Sequence, residues 1–204
     1  MNRKRQTTIG FLIIAFMLTI CGAVAKAADQ KQELSEEDKK ALELLEKYAA
    51  PGESHRYLDY FVGQWQSLVK MYGEPGKEPI SQNQQISVEW ILSGRYLKAL
   101  LQGDIMGKPY EVYVFTGYDN YRQRFFAIQL STLDTGYFIT SGSLDQAKKI
   151  RTETGVMEDV GGKKTPIKAV TTLLSPDKYM YEFYTVGADG KETRTMEITY
   201  FRKK

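Results

Sequence analysis

The sequence predicts an all-β protein, an up-and-down antiparallel barrel of about ten strands preceded by one or two N-terminal helices. Three observations predict it. Aromatic residues make up 12% of the 204 residues, and all 14 tyrosines fall after residue 27, so strand-forming side chains abound. From Gly63 onward, short apolar or alternating runs are separated by turn residues at Gly94, Gly107, Asn120, Asp134, Asp145, Gly161, Asp177 and Gly190, at intervals of 11 to 16 residues. Such an interval holds one strand and one turn, and it is too short for the helical crossover that parallel neighbours need. A twisted meander of this length tends to close on itself rather than leave two edges; a two-sheet sandwich, whose strands show the same spacing, is the alternative.

The first element is a leader. Arg3-Lys4-Arg5 precedes an apolar run from Ile9 to Ile20 and a small-x-small triplet, Ala25-Lys26-Ala27, which together read as a signal peptide over residues 1–27 cleaved after Ala27. The apolar run falls short of the roughly 20 residues that a bilayer span needs. Cys21 is the only cysteine, and Ile20 before it is not the small residue that a lipoprotein peptidase wants. The expectation is an exported protein, periplasmic or secreted, with no membrane attachment after cleavage. Arg3, Lys4, Arg5 and Lys26 leave with the leader and no acid does, so the net charge passes from +3 to −1. A near-neutral chain without a basic cluster lacks the footprint for a nucleic-acid partner. Losing Cys21 also excludes disulfides, thiol catalysis and thiolate-bound metals.

Residues 28–50 read as an N-terminal extension. Ser35 is placed as an N-cap with Glu36, Glu37 and Asp38 in the first turn, and a helix follows to about Ala49. Leu34, Ala41, Leu42, Leu45, Tyr48 and Ala49 form an apolar stripe that is expected to pack on something, and Pro51-Gly52 ends the helix. A shorter helical turn from Glu53 to Val62 offers Tyr57, Leu58, Phe61 and Val62 just before the first strand. The barrel domain is assigned to residues 51–204: a strand from Gly63 to Tyr72, a loop containing Pro75 and Pro79, and then nine strands divided by the eight turns above.

An ordered series of short motifs carries a resemblance. Pro51-Gly52-Glu53-Ser54-His55, Leu58, Gly63-x-Trp65, Ser93-Gly94-Arg95, Gly107-Lys108-Pro109-Tyr110, Gly117-Tyr118-Asp119 and Met196-Glu197-Ile198-Thr199-Tyr200-x-Arg202-Lys203 together resemble the bacterial family catalogued as domain of unknown function 1579. The resemblance implies a calycin-like barrel and no agreed activity. The chain departs from it after Asp119, with Arg124-Phe125-Phe126-Ala127 where such proteins often carry a Trp-Asp pair. Gly63-Gln64-Trp65 is also similar to the Gly-x-Trp that opens lipocalin barrels. That likeness implies that Arg202, on the last strand, covers the Trp65 indole and helps close the barrel floor, with Gly63 beside it. A ligand contact is the other role open to Trp65.

Catalytic motifs are sparse. His55 is the single histidine, in the segment before the barrel, where capping or a surface position accounts for it more simply than a relay or a metal site. No GxGxxG, phosphate loop, HExxH or GxSxG occurs, so neither cofactor nor metal is expected. What remains is the barrel interior, which strand alternation divides into two candidate faces. Ile86, Val88, Trp90 and Leu92 oppose Ser87, Glu89 and Ile91; Val112 and Val114 oppose Glu111, Tyr113 and Phe115; Tyr181 and Phe183 oppose Glu182 and Tyr184; Ile198 and Tyr200 oppose Glu197 and Thr199. If the acidic parity faces in, Glu89, Arg95, Tyr113, Glu182, Tyr184 and Glu197 form a polar ligand site in an aromatic wall. If it faces out, they are a solvated surface of cross-strand charge pairs. The expected function is binding of a small hydrophobic or amphipathic molecule. The alternatives are a packed barrel acting as an interaction module and a cofactor-free lyase or isomerase with a buried Glu/Tyr/Arg site, the last favoured by a buried Glu within reach of Tyr and Arg.

Overall fold

A computed structural model describes residues 34–73 and 76–204. The leader, Cys21, the cleavage site after Ala27 and the polar stretch 28–33 lie outside the described residues. Helix α1 spans Glu36–Ala49. Its N-cap is Ser35, whose Oγ accepts the Asp38 N–H at 3.1 Å. The chain divides into two units between Leu45 and Glu46, within this helix. No residue of α1 is buried. Local contacts hold the helix instead, including the Lys39–Glu36 pair at 2.7 Å. Within the second unit, its end is tied by Asn120, whose Nδ2 donates to the Tyr48 and Ala50 carbonyls, and by stacking of Tyr48 on Tyr121.

A short helix α2, Glu53–Arg56, continues as a 3-10 turn, Tyr57–Phe61. Ten strands follow: β1 Gly63–Met71, β2 Ile80–Ile91, β3 Tyr96–Ile105, β4 Lys108–Asp119, β5 Arg124–Ser131, β6 Tyr137–Asp145, β7 Ile150–Glu158, β8 Lys164–Ser175, β9 Lys178–Val186 and β10 Glu192–Arg202. Every neighbouring pair is antiparallel, and β1 pairs with β10, so the sheet is a closed barrel rather than a sandwich. Closure leaves no unpaired strand edge.

The register sets Trp65 opposite Arg202. Trp65 is 0% exposed and its Nε1–H donates to the Phe61 carbonyl at 2.8 Å. The Arg202 guanidinium lies 4.1 Å from the indole centroid and donates to the carbonyls of Val62 at 2.8 Å and Tyr60 at 2.6 Å. A cation over an aromatic face with both donors satisfied joins the first strand, the last strand and the 3-10 turn at one end. Gly63 is required there, because its φ of +119° suits glycine and a Cβ would stand 3.3 Å from Arg202 Nη1. Leu58 and Phe61 lie in the core beneath Trp65, Tyr179 and Tyr200, and form the barrel floor.

The core side chains fix which parity faces inward. Trp65 and Val69, Ile86 and Val88, Leu97 and Leu101, Tyr110 and Val112, Ile167 and Ala169, and Ile198 and Tyr200 are buried at alternate positions. At Thr195 a bulge interrupts the alternation of β10, so that Arg194 stands opposite Tyr184 while Met196 stands opposite Phe183. Arg194 is thereby turned out and Met196 in.

Candidate functional site

The inward parity encloses a cavity of about 140 Å³. It runs from Phe61 at the floor to Gln129, Phe138 and Met196 toward the far end. Strands β2 to β4 give it an aliphatic wall of Ile86, Val88, Leu97, Leu101 and Val114. Tyr179 and Tyr181 from β9 and Tyr200 from β10 supply aromatic surface. The side chains of Ser67, Gln84, Gln82 and Tyr110 are joined to one another by hydrogen bonds and do not line the cavity.

The polar centre of the cavity is on β7. Arg151 and Glu153 stand two residues apart, hence on one face, and Nε of the first lies 3.2 Å from Oε2 of the second. They are 7% and 2% exposed. The guanidinium carbon sits 5.7 Å from the ring centroids of both Phe61 and Phe125. Beyond the Nε–Oε2 contact, Arg151 Nη1 and Glu153 Oε1 have no hydrogen-bond partner among the described residues, and neither has the buried Tyr57 hydroxyl. Buried polar atoms are normally paired, so two unpaired atoms on an ion pair that lines a cavity mark a place where a polar ligand atom is stabilised. Burial, reinforced by Glu153, pushes the Tyr181 hydroxyl far above its ordinary value, and burial does the same at Tyr200. Both therefore stay protonated.

Two glycines make this arrangement possible. Gly142 faces Glu153 across β6 and β7, and Gly155 faces Thr140. A Cβ at Gly142 would stand 1.8 Å from the Thr152 carbonyl oxygen, and one at Gly155 would stand 2.4 Å from that of Ile139. Strands β6 and β7 thus approach more closely than side chains allow, which bends the sheet beside the ion pair.

The residues expected to form a site occupy the opposite parity. The inward set on β9 is Tyr179, Tyr181 and Phe183, which turns Glu182 and Tyr184 out; likewise Ile198 and Tyr200 turn Glu197 out. These three do meet, on the outer surface. Arg194 Nη1 bridges Glu182 Oε1 at 2.8 Å and Glu197 Oε2 at 2.9 Å, and the Tyr184 hydroxyl donates to Glu182 at 2.9 Å. Because Glu182 and Glu197 are direct cross-strand partners, Arg194 relieves a like-charge pairing there. Glu89 is exposed and paired with Lys98, Tyr113 is exposed and stacks on Phe115, and Arg95 donates to the Leu92 and Ser93 carbonyls in the β2–β3 turn. The interior acid, base and tyrosine are instead Glu153, Arg151 and Tyr181. Sequence reasoning missed them because charges on alternate positions, beside the β-branched Ile150, Thr152 and Thr154, look like an ordinary outer face. The available signal was the pair of glycines at 142 and 155.

His55 takes the capping place that its position before the barrel allowed, and it is buried there rather than at the surface. It is 5% exposed, and its Nδ1 accepts the Gly52 N–H at 3.0 Å, closing the N-terminus of α2. Burial, with Arg95 adding to it, lowers its pKa from the ordinary value. Among the described residues no three His, Cys, Asp or Glu side chains gather as metal ligands do.

The sequence matches the family described as Protein of unknown function (DUF1579) over residues 50–202. No curated protein matches it. Among solved structures the fold is similar to that of Rv2717c from M. tuberculosis, 11% identical, covering 76% of this chain and 100% of that one at a TM-score of 0.53. A redesigned beta barrel is 16% identical and covers 73% of this chain and 96% of its own, at a TM-score of 0.37.

Proposed function

The chain belongs to the family of unknown function DUF1579, and on that premise we propose that its barrel is a binding module that takes a small amphipathic molecule into the interior cavity. One observation carries this reading. A cavity of about 140 Å³ with mostly apolar walls is lined by a buried ion pair, and that pair has one donor and one acceptor without partners. An apolar body replaces water along the walls, and one polar group meets Arg151 and Glu153, which is the composition of a small-ligand site. Mass spectrometry of small molecules extracted from natively purified protein tests it. A compound released from wild type and absent from Ala127→Leu, which fills part of the cavity, supports the reading. Equal extracts from both overturn it.

A second reading rests on the carboxylate alone. Glu153 is buried within reach of a base and beside Tyr181, so a lyase or isomerase reaction with Glu153 carrying the proton and Arg151 holding negative charge is the catalytic alternative. Conversion of the extracted compound to a new species on incubation with the protein selects this reading; its recovery unchanged selects binding.

The same proposal takes the protein out of the cytoplasm by way of the leader. N-terminal sequencing of exported material is expected to begin at Ala28, and a lipid-bearing start at Cys21 contradicts it.

A further inference from the structure

We propose that the cavity selects an uncharged ring compound whose polar end both donates and accepts a hydrogen bond, the class of phenols and aromatic primary carboxamides; this rests on the binding reading above. Three observations converge on that class. The first is charge. Arg151 and Glu153 are the only acid and base among the lining residues, and they balance one another. A carboxylate ligand would satisfy Arg151 but bring a second anion against Glu153, and an ammonium would satisfy Glu153 but face the guanidinium. Either leaves an uncompensated charge beside a buried ion pair.

The second is the pattern of open valences. With Arg151 Nε on Glu153 Oε2, the pair leaves one donor, on Arg151 Nη1, and one acceptor, Glu153 Oε1, without a partner. The complement is a group with an acceptor and a donor on the same or adjacent atoms. A phenol hydroxyl supplies both from one oxygen. A carboxamide accepts at its carbonyl and donates from its nitrogen. Tyr181 and Tyr200 remain protonated through burial and add no third charge to the balance.

The third is size and shape. A cavity of about 140 Å³ is close to the roughly 150 Å³ known to hold a single benzene ring in a protein core. Here the aliphatic wall of β2 to β4 and the rings of Tyr179, Tyr181 and Tyr200 leave a space bounded by apolar faces, which suits one flat ring.

Calorimetric titration of the purified chain with phenol, benzamide, benzene, benzoate and benzylamine tests the inference. Phenol and benzamide are expected to bind at least about tenfold more tightly than benzene, the smallest difference that hydrogen bonds to charged groups produce. Benzoate and benzylamine are expected to bind more weakly than benzamide. Because Arg151 variants risk misfolding, Glu153→Gln serves as the near-isosteric partner: it removes the anion, so benzoate is expected to gain on benzamide relative to wild type. Benzene binding as well as phenol, or benzoate or benzylamine binding as well as benzamide, overturns the assigned class while leaving the binding reading in place. An unchanged benzoate-to-benzamide ratio in Glu153→Gln overturns the role given to Glu153. Absence of binding by all five probes overturns the class and the binding reading together.

Discussion

Arg151 with Glu153 inside the barrel and Arg194 with Glu182 and Glu197 outside it are built from the same side chains on neighbouring parts of one sheet, yet they meet opposite physical conditions. Outside, Arg194 is 38% exposed, both its acids are engaged, and Tyr184 and Tyr72 add hydrogen bonds. Solvent and salt screen that cluster, so it contributes little to stability. Inside, the ion pair is removed from water, incompletely hydrogen-bonded and adjacent to a cavity. Charge type does not distinguish the two; strand parity does, with the glycines at 142 and 155 opening the inner position and the bulge at Thr195 turning Arg194 outward.

The sharpest way to break this contrast is to remove one partner at a time. Arg151→Met leaves Glu153 buried without its cation and is expected to cost about 3–5 kcal/mol in urea unfolding, whereas Arg151→Met combined with Glu153→Leu is expected to recover most of that loss. A single substitution as mild as a surface one would mean that the pair is solvated.

At the barrel floor, Arg202→Met removes two hydrogen bonds to carbonyls together with the contact on Trp65, with an expected loss of about 2–3 kcal/mol by the same measurement. The floor thus stands between the two charge clusters: it is partly exposed like the outer one, and it engages backbone carbonyls as well as the exposed carboxylate of Asp177.

His55 sharpens the comparison through pH. Its folded pKa is lowered by burial, so below the ordinary value of 6.5 the unfolded chain takes up a proton that the folded chain resists. Its stabilising contribution is complete above pH 6.5 and is lost as pH falls from there through the folded value. His55→Gln keeps an acceptor for Gly52 N–H, and is expected to show a shallower loss of urea midpoint between pH 7 and pH 5 than wild type. An identical slope would place the imidazole in solvent.

The smallest effect belongs outside. Arg194→Met is expected to cost about 0.5–1 kcal/mol, and less again in high salt. A cost matching that of Arg151→Met would erase the distinction between the two faces.

How far the sequence was legible follows the same line. The turns at Gly94, Gly107, Asn120, Gly161, Asp177 and Gly190 each fall between the strands they were read to separate, because glycine and short polar residues are chosen by local backbone geometry. The helix beginning at Glu36 was legible through its cap for the same local reason. The inward face was not, because β9 carries aromatics on both parities, so a period of two has no contrast to reveal.

The central claim, that the functional face is the inner one, is tested most directly by the small-molecule content of three natively purified proteins: wild type, Arg151→Met/Glu153→Leu, and Glu182→Gln/Arg194→Met, each verified as folded by its thermal unfolding. The account predicts one compound released by wild type and by the outer double variant, and missing from the inner one. A compound retained by the inner double variant and lost from the outer one, or no compound in any of the three, would contradict it.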